Sequence, residues 1–209
     1  MKPSDRLLLN NKSWAQERRE VDPNFFERLA HQQAPQFLWV GCSDSRVPAN
    51  TITGTDPGEI FVHRNIANVC LADDINMLSV LQYAVEVLEV KHVIVCGHYN
   101  CGGINAALGN SEFTGPIGTW LTHLRAVLRK HADEINALPT AERAARLVEW
   151  NVREQVQTLA RLPIVQNAWR KRKAPWLHAW AYSLADGYLQ ELASIAPDSA
   201  TAELAPSAI

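Results

Sequence analysis

Residues 92–103 of the chain read HVIVCGHYNCGG, an apolar, β-branched run that ends in glycines and polar residues. A short apolar run of this kind is typical of a buried strand in a parallel sheet, and the glycines after it predict a loop. Residues 37–46, FLWVGCSDSR, show the same pattern, an apolar run followed by glycine and polar residues. Because the carboxyl ends of neighbouring parallel strands meet at one edge of a sheet, we expect the two loops to lie close together.

The segments around these two stretches predict the rest of the fold. A third apolar run, Ile60–His63, precedes a helical pattern that leads to residue 92, and this order predicts a βαβ crossover. Further helices are expected after Pro116 and from Thr140, a suitable N-cap. Residues 176–182 and 188–192 flank an Asp-Gly turn and predict a strand pair at one sheet edge. The expected fold class is α/β, a mixed sheet with a parallel core flanked by helices.

The length of the chain, 209 residues, suits one α/β domain with a single core. We expect that domain to span 1–209, with residues 1–34 as a helical arm and 199–209 as a frayed tail. The arm is amphipathic and precedes the first strand, which favours packing on a partner subunit. Packing against its own sheet is the alternative.

Charge and composition exclude several classes of function. The chain carries 20 basic and 22 acidic residues, a formal charge of -2, so no overall field attracts nucleic acid or an anionic membrane. Its apolar runs are strand-sized, well short of the ~20 residues of a membrane-spanning helix, and the first residues lack the apolar region of a secretory signal. Four cysteines are too few for a disulfide scaffold. These features predict a cytoplasmic protein whose cysteines are thiols or metal ligands.

Three candidate metal ligands, Cys42, His98 and Cys101, lie in the two strand-end loops. Two thiolates and one imidazole suit Zn²⁺, and three protein ligands leave the fourth position open, as in catalytic zinc sites. The alternative is that the His-x-x-Cys spacing arises by chance and that Cys42 is a small buried apolar residue.

An acid–base pair is predicted beside these ligands. In an extended loop Cys42, Asp44 and Arg46 face the same side, because alternate residues point the same way. Asp44 can then accept a hydrogen bond from metal-bound hydroxide, while a bidentate pair with Arg46 keeps the carboxylate ionised. A plain surface ion pair is the alternative.

Three blocks of this sequence, Cys42–Val47, Phe61–Asn68 and Gly97–Gly103, resemble the signature blocks of the β-class carbonic anhydrases. The resemblance extends over roughly residues 22–192. It implies an enzyme with one zinc ion per chain that converts carbon dioxide and water to bicarbonate and a proton through attack by zinc-bound hydroxide. It also implies a homodimer or homotetramer in which N-terminal helices embrace a partner.

The resemblance assigns roles to individual residues. Cys42, His98 and Cys101 would bind zinc, and Asp44 with Arg46 would form the catalytic dyad. Gly102 and Gly103 would let backbone amides approach the substrate. These roles agree with the chemistry expected from the residue types alone.

Trp39, Arg64 and Tyr182 match positions that surround a non-catalytic bicarbonate pocket in one group of the family. In that group the dyad aspartate, here Asp44, moves onto the metal as fourth ligand in a closed, inactive form. We expect this chain to belong to that bicarbonate-regulated type and to lose activity sigmoidally as the pH falls. The alternative for Trp39 and Tyr182 is core packing of two aromatic side chains.

The remaining cysteines and histidines are expected to be structural. Cys70 and Cys96 are assigned to the core. Five histidines are read as structural or surface residues, one of which can serve as proton shuttle: His63, His92, His123, His131 and His178. Two other functions stay open at this point, a related enzyme acting on carbon disulfide or carbonyl sulfide, and a structural-zinc module with four filled ligand positions.

Overall fold

The computed structural model of the chain describes residues 1–109, 112–197 and 199. The chain divides into two compact units, Met1–Ala34 and Pro35–Ile209. The predicted frayed tail, 199–209, lies outside the described residues except for Ser199. Among the residues described, no helix has both the length and the apolar character needed to cross a membrane.

The N-terminal unit consists of helix α1, Pro3–Val21, and helix α2, Phe25–His31. Pro3 suits the first helical position, where its missing N–H leaves no hydrogen bond unmade. Trp14 of α1 meets Phe26 of α2 edge to face, with ring centroids 5.6 Å apart. Leu7 and Leu8 of α1 are 65% and 67% exposed, so this helix has an apolar side in solvent. That the arm packs on a partner stays a prediction.

The second unit contains a five-stranded sheet in the order β2-β1-β3-β4-β5. Its strands have these bounds: β1 Phe37–Cys42, β2 Ile60–Asn65, β3 His92–His98, β4 Trp176–Tyr182 and β5 Leu189–Ile195. Strands β2, β1, β3 and β4 run parallel, and β5 pairs antiparallel with β4. The predicted α/β fold with a mixed, mainly parallel sheet is confirmed. The chain order reverses at β1, between β2 and β3, and such a switch point is where open α/β sheets bind ligands.

Seven α-helices, and a short 3₁₀ turn over Ile66–Asn68, accompany the sheet in the described part of the second unit. Their bounds are as follows: α3 Ala49–Thr53, α4 Ile75–Gln82, α5 Gly102–Leu108, α6 Gly115–Lys130, α7 Ala132–Ala137, α8 Thr140–Arg161 and α9 Pro163–Arg172. Helix α4 begins where the Asp74 carboxylate accepts the Asn76 N–H, and it continues into a π-helical turn over Tyr83–Val87. Thr140 is the first residue of α8 rather than its N-cap, which is Pro139.

Helix α8 covers one face of the sheet at close range. Val148 and Val152 of this helix are fully buried or nearly so. A Cβ atom on Gly97 of β3 would lie 2.7 Å from Cγ2 of Val152 and 3.1 Å from Cγ1 of Val148. Glycine is therefore required at position 97 because the helix lies directly on the strand that carries His98.

The substitution Gly97→Ala should destabilise the protein by about 1–3 kcal/mol, because a methyl group there overpacks the contact with α8. Urea unfolding of the single and double variants measures the effect. Adding Val152→Ala removes the clashing methyl group. The double variant should therefore lose less unfolding free energy than the sum of the losses in the two single variants. Additive effects would contradict the close approach as the cause.

Candidate metal centre

Three side chains meet at the switch-point edge of the sheet. Cys42 is the last residue of β1, His98 the last of β3, and Cys101 precedes the first turn of α5. Their ligand atoms all lie within 4.8 Å of one another, and the two Sγ atoms are 3.9 Å apart. All three residues are at least 95% buried. The predicted convergence of these three residues is confirmed, and they are positioned to bind a metal ion.

The imidazole of His98 is oriented as a metal ligand. Its Nδ1 donates to the backbone carbonyl of Tyr99 at 3.1 Å, which leaves the lone pair on Nε2. Nε2 is buried and has no hydrogen-bond partner in the described chain. A buried acceptor without a donor is costly, and a cation between Nε2 and the two sulfurs would satisfy it. The donor set and this orphaned atom both fit zinc.

The two sulfurs differ in their surroundings. A hydrogen bond shared with Cys101 lowers the pKa of the Cys42 thiol, and a hydrogen bond from the Ala67 N–H lowers it further. The hydrogen bond to Cys42 and the burial of Cys101 raise the pKa of the Cys101 thiol. The two thiols therefore do not ionise together, and metal binding would release the proton that remains between them.

Asp44 and Arg46 form a bidentate pair beside this cluster. Arg46 donates from Nε to Oδ1 of Asp44 at 2.9 Å and from Nη2 to Oδ2 at 2.7 Å, and its backbone N–H donates to Oδ1 at 3.0 Å. These bonds hold the pKa of the Asp44 carboxyl far below its usual range. Oδ2 of Asp44 lies 3.7 Å from Nε2 of His98, so an ionised carboxylate faces the ligand cluster. The predicted pair is present, and it lies at the cluster.

Gly102 and Gly103 open helix α5 directly after Cys101. A Cβ atom on Gly103 would lie 2.9 Å from Cγ2 of Ile66 and 3.2 Å from Cβ of Ala67, so glycine lets the two loops pack together. A Cβ atom on Gly102 would meet nothing within 4 Å. Close packing thus explains Gly103 alone, and the space beside Gly102 is left open.

Two of the three residues expected at a second bicarbonate pocket, Trp39 and Arg64, lie on the sheet face away from α8. Tyr182, the last residue of β4, packs against apolar clusters on both faces. Trp39 is buried in an apolar cluster with Ile94 and Cys96, and Tyr182 packs against the same cluster. Arg64 of β2 donates from Nε to the carbonyl of Cys42 at 2.7 Å and from Nη2 to the carbonyl of Asp44. Its guanidinium therefore clamps the backbone of the loop that carries the ligand and the dyad.

The other cysteines and histidines lie away from this cluster. Cys70 and Cys96 are buried in apolar clusters, and burial raises the pKa of both thiols. His131 stacks on Trp150 with ring centroids 3.7 Å apart, and His92 hydrogen-bonds His178. Among the described residues, no further Cys, His or carboxylate group joins the three ligands as a possible metal site.

Some functional groups were not predicted from the sequence. The Ala67 N–H and the Tyr99 carbonyl act through the backbone, so their residue types give no signal. The Arg64 clamp was also missed, although this residue was singled out for another role. Its two acceptors are carbonyls whose positions depend on the pairing of β1 with β2.

Comparisons with known proteins agree with this geometry. Residues 37–189 match the family model described as carbonic anhydrase. A carbonic anhydrase of Emericella nidulans is 46% identical over 189 residues, which cover 90% of this chain and 82% of the relative. One of the solved structures of two tetrameric β-carbonic anhydrases from Sordaria macrospora is 39% identical, with a TM-score of 0.88 over 91% of this chain and 98% of that one. A Coccomyxa β-carbonic anhydrase in complex with acetazolamide is 36% identical, with a TM-score of 0.89 over 93% of this chain and 89% of that one.

Replacing Cys42, His98 or Cys101 by Ala should lower zinc affinity by at least about 100-fold, because each removes a donor that no neighbour replaces. Metal analysis after dialysis against a weak chelator measures this. Cys70→Ala and Cys96→Ala are matched controls, since both remove buried thiols, and each should keep about one zinc per chain. Zinc loss in either control would overturn the ligand assignment.

Proposed function

This chain belongs to the β-class carbonic anhydrase family, and on that premise we propose that Cys42, His98 and Cys101 hold the zinc ion of an enzyme that reversibly hydrates carbon dioxide. Zinc bound there would supply the Lewis acidity that turns water into a nucleophile near neutral pH. Two thiolates and a neutral imidazole would balance its charge, so its acidity would be weaker than in an all-histidine site.

The observation that carries this proposal is the ionised carboxylate beside a three-ligand cluster. Asp44 faces His98 Nε2, and the Arg46 pair keeps it from taking up a proton. Asp44 can therefore accept a hydrogen bond from the attacking water and orient its lone pair toward carbon dioxide. A purely structural zinc site needs no such acceptor and usually has a fourth Cys or His ligand. The amides of Gly102 and Gly103 are proposed to contact the substrate.

Asp44→Asn should lower kcat/KM for carbon dioxide hydration by about 100-fold, because a neutral amide oxygen is a weaker hydrogen-bond acceptor than an ionised carboxylate. Stopped-flow hydration of the zinc-loaded variant measures this, and its zinc content should stay at the wild-type level. Asp22→Asn is the matched control, since it breaks another Asp–Arg pair, that with Arg28. Unchanged turnover in Asp44→Asn would exclude the proposed role.

We further propose that the enzyme is of the bicarbonate-regulated type, with Trp39, Arg64 and Tyr182 around the effector. Arg64 is bound to the Cys42 and Asp44 carbonyls. A bicarbonate ion that attracts this guanidinium would weaken both bonds and free the loop. Asp44 could then leave Arg46 and approach the ligand cluster, which its Oδ2 atom already faces. That arrangement would occupy the fourth ligand position and stop the reaction.

In this proposal added bicarbonate inhibits hydration at constant pH, and activity falls sigmoidally as the pH decreases. Tyr182→Phe should raise the inhibitory bicarbonate concentration about tenfold, because one hydrogen bond to a charged group is lost. Initial rates at increasing bicarbonate measure this. Tyr188→Phe is the control, since Tyr188 is 74% exposed. Equal inhibition of both variants, or a flat pH profile, would contradict the regulated type.

We propose a homodimer or homotetramer in the cytoplasm. The exposed leucines of α1 give the arm an apolar side that a second copy can cover. The related Sordaria macrospora proteins are tetrameric. A site that depends on two free thiols favours a reducing compartment.

A further inference from the structure

Helix α8 carries two buried amide side chains within its apolar face. Asn151 is 1% exposed and Gln155 is 5% exposed, and they lie one turn apart among the buried valines of this helix. Burying an amide is unfavourable unless its donors and acceptors are paired. The hydrogen-bond partners of Asn151 and Gln155 therefore indicate the role of these two side chains.

The two amides are joined to a single loop, Ala67–Cys70. Asn151 Nδ2 donates to the carbonyl of Ala67 at 3.0 Å, and Gln155 Nε2 donates to Oδ1 of Asn151 at 2.9 Å. The N–H of Cys70 donates to Oε1 of Gln155 at 2.7 Å. The pair thus spans the loop from its first residue to its last.

This loop has an unfavourable backbone conformation. Ala67 and Asn68 are consecutive non-glycine residues with φ of 59° and 50°. Residues with side chains rarely adopt the left-handed region, and they persist there only when surrounding contacts hold them. Asn65 adds two bonds, to the N–H and the carbonyl of Val69. The Ala67 carbonyl, however, is held by Asn151.

The left-handed turn directs a backbone N–H at a ligand atom. Ala67 N donates to Sγ of Cys42 at 3.4 Å. A hydrogen bond to a metal-binding thiolate orients the sulfur and reduces the charge it gives to the metal. We propose that Asn151 and Gln155 are positioning residues for the metal centre, which act by fixing this amide on Cys42. The inference rests on the proposed zinc binding by Cys42.

Asn151→Leu should raise the zinc dissociation constant about 10- to 100-fold, the range seen when partners of metal ligands are removed. Competition with a chromophoric chelator measures it. In the cobalt-substituted protein the sulfur-to-cobalt charge-transfer band should move to longer wavelength, because a thiolate without its N–H donor is easier to oxidise. Gln155→Met should act in the same direction by a smaller factor, and it serves as the second variant if Asn151→Leu does not fold.

Val156→Ala is the matched control, because Val156 is fully buried on the same helix and belongs to an apolar core cluster. It should lower the unfolding midpoint while leaving zinc affinity and the cobalt band unchanged. If Gln155→Met, like Val156→Ala, leaves both the zinc affinity and the cobalt band unchanged, the two amides are merely structural and the inference is wrong. If the wild-type protein itself binds no zinc, the proposed function fails instead.

Discussion

The structure depends on the parallel pairing of β1 with β3. That register sets Val40 beside Val95 and Gly41 beside Cys96, so the two strands end at the same level with Cys42 and His98 at their tips. The loop after β3 then returns Cys101 to the same point as helix α5 begins. Because the sheet order reverses at β1, the chain leads from β1 to β2 on one side and from β3 to β4 on the other, and the carboxyl ends of β1 and β3 border a crevice. A soft three-donor cluster is the direct result of this topology.

Electrostatics explains why the cluster needs its surroundings. Two sulfurs 3.9 Å apart repel each other once both are ionised, so a cation or a proton must lie between them. Their thiolate charge also weakens the Lewis acidity of a bound zinc ion. An acceptor that stays ionised offsets this loss, and the bidentate Arg46 contact gives Asp44 that property. In the proposed reaction Asp44 therefore depends on Arg46, which keeps its carboxylate ionised.

Backbone groups give the site much of its rigidity. The Tyr99 carbonyl sets the His98 tautomer, and the Ala67 N–H contacts the Cys42 sulfur. Arg64 binds two carbonyls of the ligand loop, while Asn151 holds the left-handed turn from the opposite side of the sheet. Side chains from β2 and α8 therefore act on the metal centre through the main chain. This arrangement explains why residues remote in sequence affect one cluster.

The strands, the long helices and the three candidate ligands could be predicted from the sequence, because apolar periodicity and the donor chemistry of Cys and His are local properties. Cys42 and His98 were expected in the loops after two strands, but each is the last residue of its strand in the structure. Helix α9 was not predicted from the sequence, because its apolar pattern is short and weak. The contacts of Asn151 and Gln155 with the Ala67–Cys70 loop, and that of Arg64 with the Asp44 carbonyl, became apparent only in the folded chain. Those contacts depend on how strands and helices pack against one another, and sequence patterns do not specify that packing.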